Sequence, residues 1–100
     1  MEKNKKDLSK LDYYFLKSVV HRYLKKHSDA LILLSEVNKI SPTYGRAYQE
    51  FGHNYVKLNN KDMALKSYSR AVRNNPSLQA SWLGILGLDN AEKNLIELAD

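Results

Sequence analysis

The stretch that decides the fold reads Tyr48-Gln49-Glu50-Phe51-Gly52-His53-Asn54-Tyr55, then Ala64-Leu65-Lys66-Ser67-Tyr68-Ser69-Arg70-Ala71, and closes at Asn74-Asn75-Pro76. Tyr48, Phe51 and Tyr55 recur at steps of three and four residues, and so do Ala64, Tyr68 and Ala71. Each set therefore lies on one face of a helix. Asn59-Asn60 separates the two helices, and Asn tolerates the left-handed geometry that closes a helix. Gly52, Ala64 and Ala71 are small where two helices must come close, and Tyr48, Tyr55 and Tyr68 fill the wedge around them. The pattern also recurs. Pro42 precedes Pro76 by the same interval at which Trp82 follows Tyr48. A fixed period of about 34 residues marks a stack of helix pairs, because one pair cannot bury its apolar face alone.

Outward from this stretch, the helical periodicity continues on both sides. Residues 1–8 read as a disordered basic N-terminus, and residues 9–100 as one helical repeat domain. Ser9 is the expected cap of a first helix carrying Leu11, Phe15, Leu16, Val19, Val20, Tyr23 and Leu24. Ser28 is the expected cap of a second, from Asp29 to Lys39, which Ser41-Pro42 ends. Pro42 or Thr43 opens the third helix, Lys61 to Arg73 forms the fourth, and Pro76 or Ser77 opens the fifth. Leu88-Asp89-Asn90 reads as a break before a sixth helix, Asn90 to Ala99. The expected fold is all-α, a right-handed superhelix of about three antiparallel helix pairs with the last one shortened.

Ala30, Leu34, Val37 and Pro42 line up one period before Ala64, Tyr68, Ala71 and Pro76. The first helix aligns best by apolar pattern after a two-residue slip, which matches Leu16, Val19, Val20 and Tyr23 to Tyr48, Phe51, Gly52 and Tyr55. Val20 in the place of a glycine implies a looser or wider first pair, or an inexact alignment. In the third pair Gly87 stands where a glycine is expected.

On the positions Tyr48, Phe51, Gly52, Tyr55, Ala64, Tyr68, Ala71, Pro76 and Trp82, the chain resembles the tetratricopeptide repeat family, with Tyr in place of the first Trp. The resemblance implies a protein-interaction module in which the first helix of each pair lines a concave groove for a partner segment. Carried over by position, the groove would be lined by Arg46, Gln49, Glu50, His53 and Lys57. The slipped first pair adds Lys17, Ser18, His21 and Lys25. This polar, mostly basic set suits an acidic segment or a carboxylate of a partner protein. The alternative is a solvated face without a ligand.

Family members that grip the C-terminal carboxylate of heat-shock chaperones need Lys, Asn and Arg at fixed groove places. Lys17 fits that pattern, but His21, Glu50, Ala80 and Gly84 do not, so no chaperone clamp is expected. A second similarity is to the repeats preceding the catalytic domain of bacterial sulfotransferase proteins. It rests on Arg46-Ala47-Tyr48-Gln49-Glu50-Phe51-Gly52-His53 and on Asn75 to Trp82, and it implies a docking or regulatory segment of a larger enzyme.

Composition narrows the remaining classes. The apolar fraction of 43% suits a soluble chain, and the absence of cysteine excludes disulfides and thiolate sites. The net charge of +5 resides in the first 27 residues, since the later acids and bases balance. A basic, aromatic first helix could contact a membrane surface or RNA, but its apolar face is needed for packing, so neither membrane span nor nucleic acid is expected. His21 and His27 stand six apart on different helix faces, with no acidic ligand at suitable spacing, so no metal or other cofactor is expected. No phosphate loop, nucleophile with a base, or acid pair is present, so the chain does not read as an enzyme. Without a secretory signal or an apolar run of spanning length, a cytoplasmic location is the default.

Overall fold

Proline and asparagine place the boundaries between helices. The computed structural model describes the backbone of residues 2–88 and the side chains of residues 10–88. It contains α1 (Glu2–Tyr23), α2 (His27–Ile40), α3 (Gly45–Lys57) and α4 (Lys61–Asn74). A fifth helix, α5, covers 79–88 and reaches the last described residue. Consecutive helices pack on one another, and α1 also touches α3, as stacked pairs require. Among the described residues there is no strand. The expected sixth helix and the shortening of the third pair lie outside the described residues.

Four helix starts differ from the sequence expectation, each for a local reason. Ser41-Pro42-Thr43-Tyr44 and Asn75-Pro76-Ser77-Leu78 close as turns, with the Tyr44 and Leu78 amides donating to Ser41 and Asn75 carbonyls at 3.2 Å. Proline sits at the second turn position, which its fixed φ suits. Helices α3 and α5 therefore begin at residues 45 and 79, not at the prolines. Helix α2 begins at His27, one residue ahead of the expected Ser28 cap, because the turn that closes α1 feeds straight into it. Helix α1 begins at Glu2 rather than after Ser9, since neither proline nor glycine interrupts residues 2–10. Among α2, α3 and α4, only α4 has a side-chain cap: Asn60 Oδ1 accepts the Met63 amide at 3.2 Å.

The repeat is visible in the backbone itself. At the end of α1 the amides of Lys25 and Lys26 donate to the carbonyls of Arg22 and His21. At the end of α3 those of Asn59 and Asn60 donate to Val56 and Tyr55, every atom pair displaced by one full repeat. This is the Schellman closure, with Lys25 (φ 62°) and Asn59 (φ 58°) as its left-handed residues. Aromatic donors repeat it: Tyr48 Oη donates to the Pro42 carbonyl and Trp82 Nε1 to the Pro76 carbonyl, both at 2.8 Å.

The two-residue slip proposed for α1 is thereby corrected. In the unbroken repeat register the counterpart of Gly52 is Ser18, which is fully buried, whereas Val20 is 53% and Leu16 61% exposed. Apolar character alone misleads here. The position facing the paired helix needs a small residue, and serine meets that need while returning its hydroxyl to the Phe15 carbonyl at 2.5 Å.

The core follows the same register. Ala30, Leu34 and Val37 of α2 and Ala64, Tyr68 and Ala71 of α4 are all buried. Leu34, Val37 and Ala47 form its centre, with Leu11, Tyr14, Phe15, Tyr44 and Phe51 packed against them. Gly52 lies where the sequence places the closest approach: a Cβ there would sit 2.5 Å from the Tyr68 ring. Gly84 of α5 meets the other edge of the same ring, at 2.6 Å. Gly87, the expected glycine of the third pair, has no neighbour within 4 Å of such a Cβ among the described residues. The close approach belongs to Gly84.

Candidate functional site

At 100° per residue, α3 divides into two faces. Tyr48, Phe51 and Tyr55 point to one side, and Arg46, Gln49, Glu50, His53 and Lys57 to the other. The second face holds the residues expected to line a groove, and their surroundings separate them into two groups.

Arg46 and Lys57 are exposed. Glu50 is only 6% exposed and accepts Arg22 Nε at 2.6 Å and Arg22 Nη2 at 3.2 Å. Burial works against the charged form of Arg22, but the hydrogen bond and charge of Glu50 outweigh it and raise the Arg22 pKa. Gln49 accepts the Ser81 hydroxyl at 2.8 Å and so joins α3 to α5. His53 Nδ1 is hydrogen-bonded to the Tyr68 hydroxyl at 2.7 Å, and the two rings meet edge to face. Burial lowers the His53 pKa, and the charge of Arg22 lowers it further against an opposing effect of Glu50. Burial, aided by the Glu50 charge and opposed by Arg22, pushes the Tyr68 phenol up to about 12.

The candidates of α1 and of the turn after it divide likewise. Lys17 and Lys25 are exposed, and Lys17 Nζ donates to Tyr13 Oη at 3.3 Å. His21 Nδ1 donates to the Lys17 carbonyl at 2.8 Å within its own helix, and Ser18 is buried. Four of the nine groove candidates, Ser18, Gln49, Glu50 and His53, thus make contacts inside the protein. Lys17, Lys25, Arg46 and Lys57 present their charge outward.

The three histidines have separate partners. His27 Nδ1 donates to Asn54 Oδ1 at 2.9 Å, and fully buried Asn54 returns its Nδ2 to the Glu50 carbonyl at 2.8 Å. Among the described residues no group of three His, Cys, Asp or Glu could hold a metal ion. Arg22–Glu50 and His27–Asn54 together make a polar joint between the first pair and α3. Sequence pattern does not reveal this joint, because its partners lie on different helices and leave no local spacing; two ionisable residues and a buried amide at one repeat boundary are its only trace.

Stacked antiparallel pairs in one constant register define a helical-repeat protein. The tetratricopeptide repeat family matches residues 45–78, which begin at the first residue of α3 and end just before α5. Residues 45–78 are thus similar to a tetratricopeptide repeat, and a repeat of this kind suggests a protein-interaction module. No curated protein matches the chain, and the similarity to bacterial sulfotransferase proteins gains no support. No described helix is long and apolar enough to cross a membrane.

Proposed function

We propose that the chain binds an acidic segment of a partner protein along the face of α3 that carries Arg46 and Lys57. The observation that carries this reading is the Glu50–Arg22 pair. The one carboxylate of the expected groove is turned inward and neutralised at 2.6 Å, so the exposed α3 charges on that face are cationic. Complementary charge of this kind fixes the choice and orientation of a partner more than raw affinity. The reading needs no cofactor and no catalytic step, and a cytoplasmic setting belongs to it.

Affinity capture from the native cell extract tests it, with the wild-type chain beside R46E/K57E. Partners of the wild type should be lost from the variant while its helical circular dichroism is unchanged. Retention of the same partners by a folded variant rules out this face.

A further inference from the structure

A second recess lies on the opposite side of α3, where α2, α3 and α4 meet. It encloses about 270 Å³. One wall is the aromatic ladder of Tyr48, Phe51 and Tyr55, with successive ring centroids 6.3 Å apart and the last two stacked. Exposed Lys66 and Arg70 of α4 stand over it, the Arg70 guanidinium 5.9 Å from the Tyr48 centroid. Asn38 of α2 lines the other side, and its Oδ1 is buried without a hydrogen-bond partner. Among the described residues no acidic side chain lines the recess.

We propose that this recess is a second binding site, separate from the groove, for a peptide segment that carries an apolar aromatic residue beside an acidic one. Each part of the occupant answers a group on the wall. Its ring covers the ladder, and its carboxylate lies between Lys66 and Arg70. A simple inorganic anion would satisfy the two cations but would leave the rings bare. The volume holds about one large side chain and its adjoining backbone, which favours a short segment over a whole helix.

The test is a titration of the isotopically labelled full chain, followed by backbone amide resonances, with acetyl-Phe-Asp-amide as probe. Saturable shifts are expected at Asn38, Phe51 and Arg70, with affinity reduced about fivefold or more for acetyl-Phe-Asn-amide and in the variant K66Q/R70Q. Both substituted residues are exposed, and the amide spectrum of the variant verifies its fold. R46E/K57E should bind the probe as the wild type does. Absence of saturable shifts, equal binding of the uncharged probe, or unchanged affinity in K66Q/R70Q would overturn the proposal. So would saturable binding of adenosine monophosphate in place of the peptide. Shifts confined to the side of Arg46 and Lys57 would overturn it too, while leaving the groove reading intact.

Discussion

At the scale of single residues, the Tyr68 ring leaves no room for a side chain at either glycine beside it. It is 3% exposed and lies between two helical glycines, Gly52 of its own pair and Gly84 of the next. Alanine is a better helix former than glycine by about 1 kcal/mol, so Gly52→Ala would stabilise an isolated α3. In the folded chain the added methyl would stand 2.5 Å from a ring that Gly84 prevents from retreating. Overpacking of this kind costs about 1–3 kcal/mol and outweighs the gain in propensity. Gly52→Ala and Gly84→Ala should therefore each lower the urea midpoint, and a rise in either would show that the ring can move. Gly52 is legible from the sequence because it belongs to the repeat pattern. Gly84 is not, because its partner is the preceding pair and not its own.

At the scale of helices, the fold is legible where spacing carries it and illegible where side chains reach across a boundary. Pro42 with Pro76, and Tyr48 with Trp82, set the period that the backbone hydrogen bonds follow. Helix α1 is misaligned when apolar residues are matched to apolar residues. The close approach needs a small side chain, and buried Ser18 supplies it. Glu50 reads as a groove residue for a related reason, since a charged residue on a helix is ordinarily solvated. Its actual partner, Arg22, lies on α1, far away in sequence. That contact makes a definite prediction about the joint between pairs. Removing one partner of an enclosed ion pair leaves an uncompensated charge, whereas replacing both with apolar residues is often close to neutral. Because the Arg22 side chain keeps 23% of its exposure, Arg22→Leu should cost at most about 3 kcal/mol. The double variant R22L/E50L should recover most of that loss in equilibrium unfolding. Additive effects of the two single changes would show that Arg22 and Glu50 act independently.

At the scale of the whole molecule, one contact sets limits to stability at both ends of the pH range. His53 and Tyr68 are hydrogen-bonded at 2.7 Å, and burial favours the neutral form of each. For His53 the folded pKa lies below the ordinary 6.5, so the unfolded chain takes up the proton first as the solution is acidified. Its contribution is complete above pH 6.5 and is lost as the pH falls through the folded value. For Tyr68 the folded pKa is about 12 against 10.0 unfolded, so the unfolded chain releases the proton first. Its contribution is complete below pH 10 and is lost as the pH rises towards 12. Tyr68→Phe separates the two limbs, because it keeps a ring between Gly52 and Gly84 while removing the titrating phenol. Losing that hydrogen bond should lower stability at neutral pH by about 1 kcal/mol. The difference between wild type and variant, measured by urea unfolding, should then shrink above pH 10 as the wild type gives up its phenol proton. On the acid side the variant keeps a buried imidazole and should retain the fall below pH 6.5. A difference that stays constant from neutral pH into the alkaline range would show that the Tyr68 phenol does not titrate with folding.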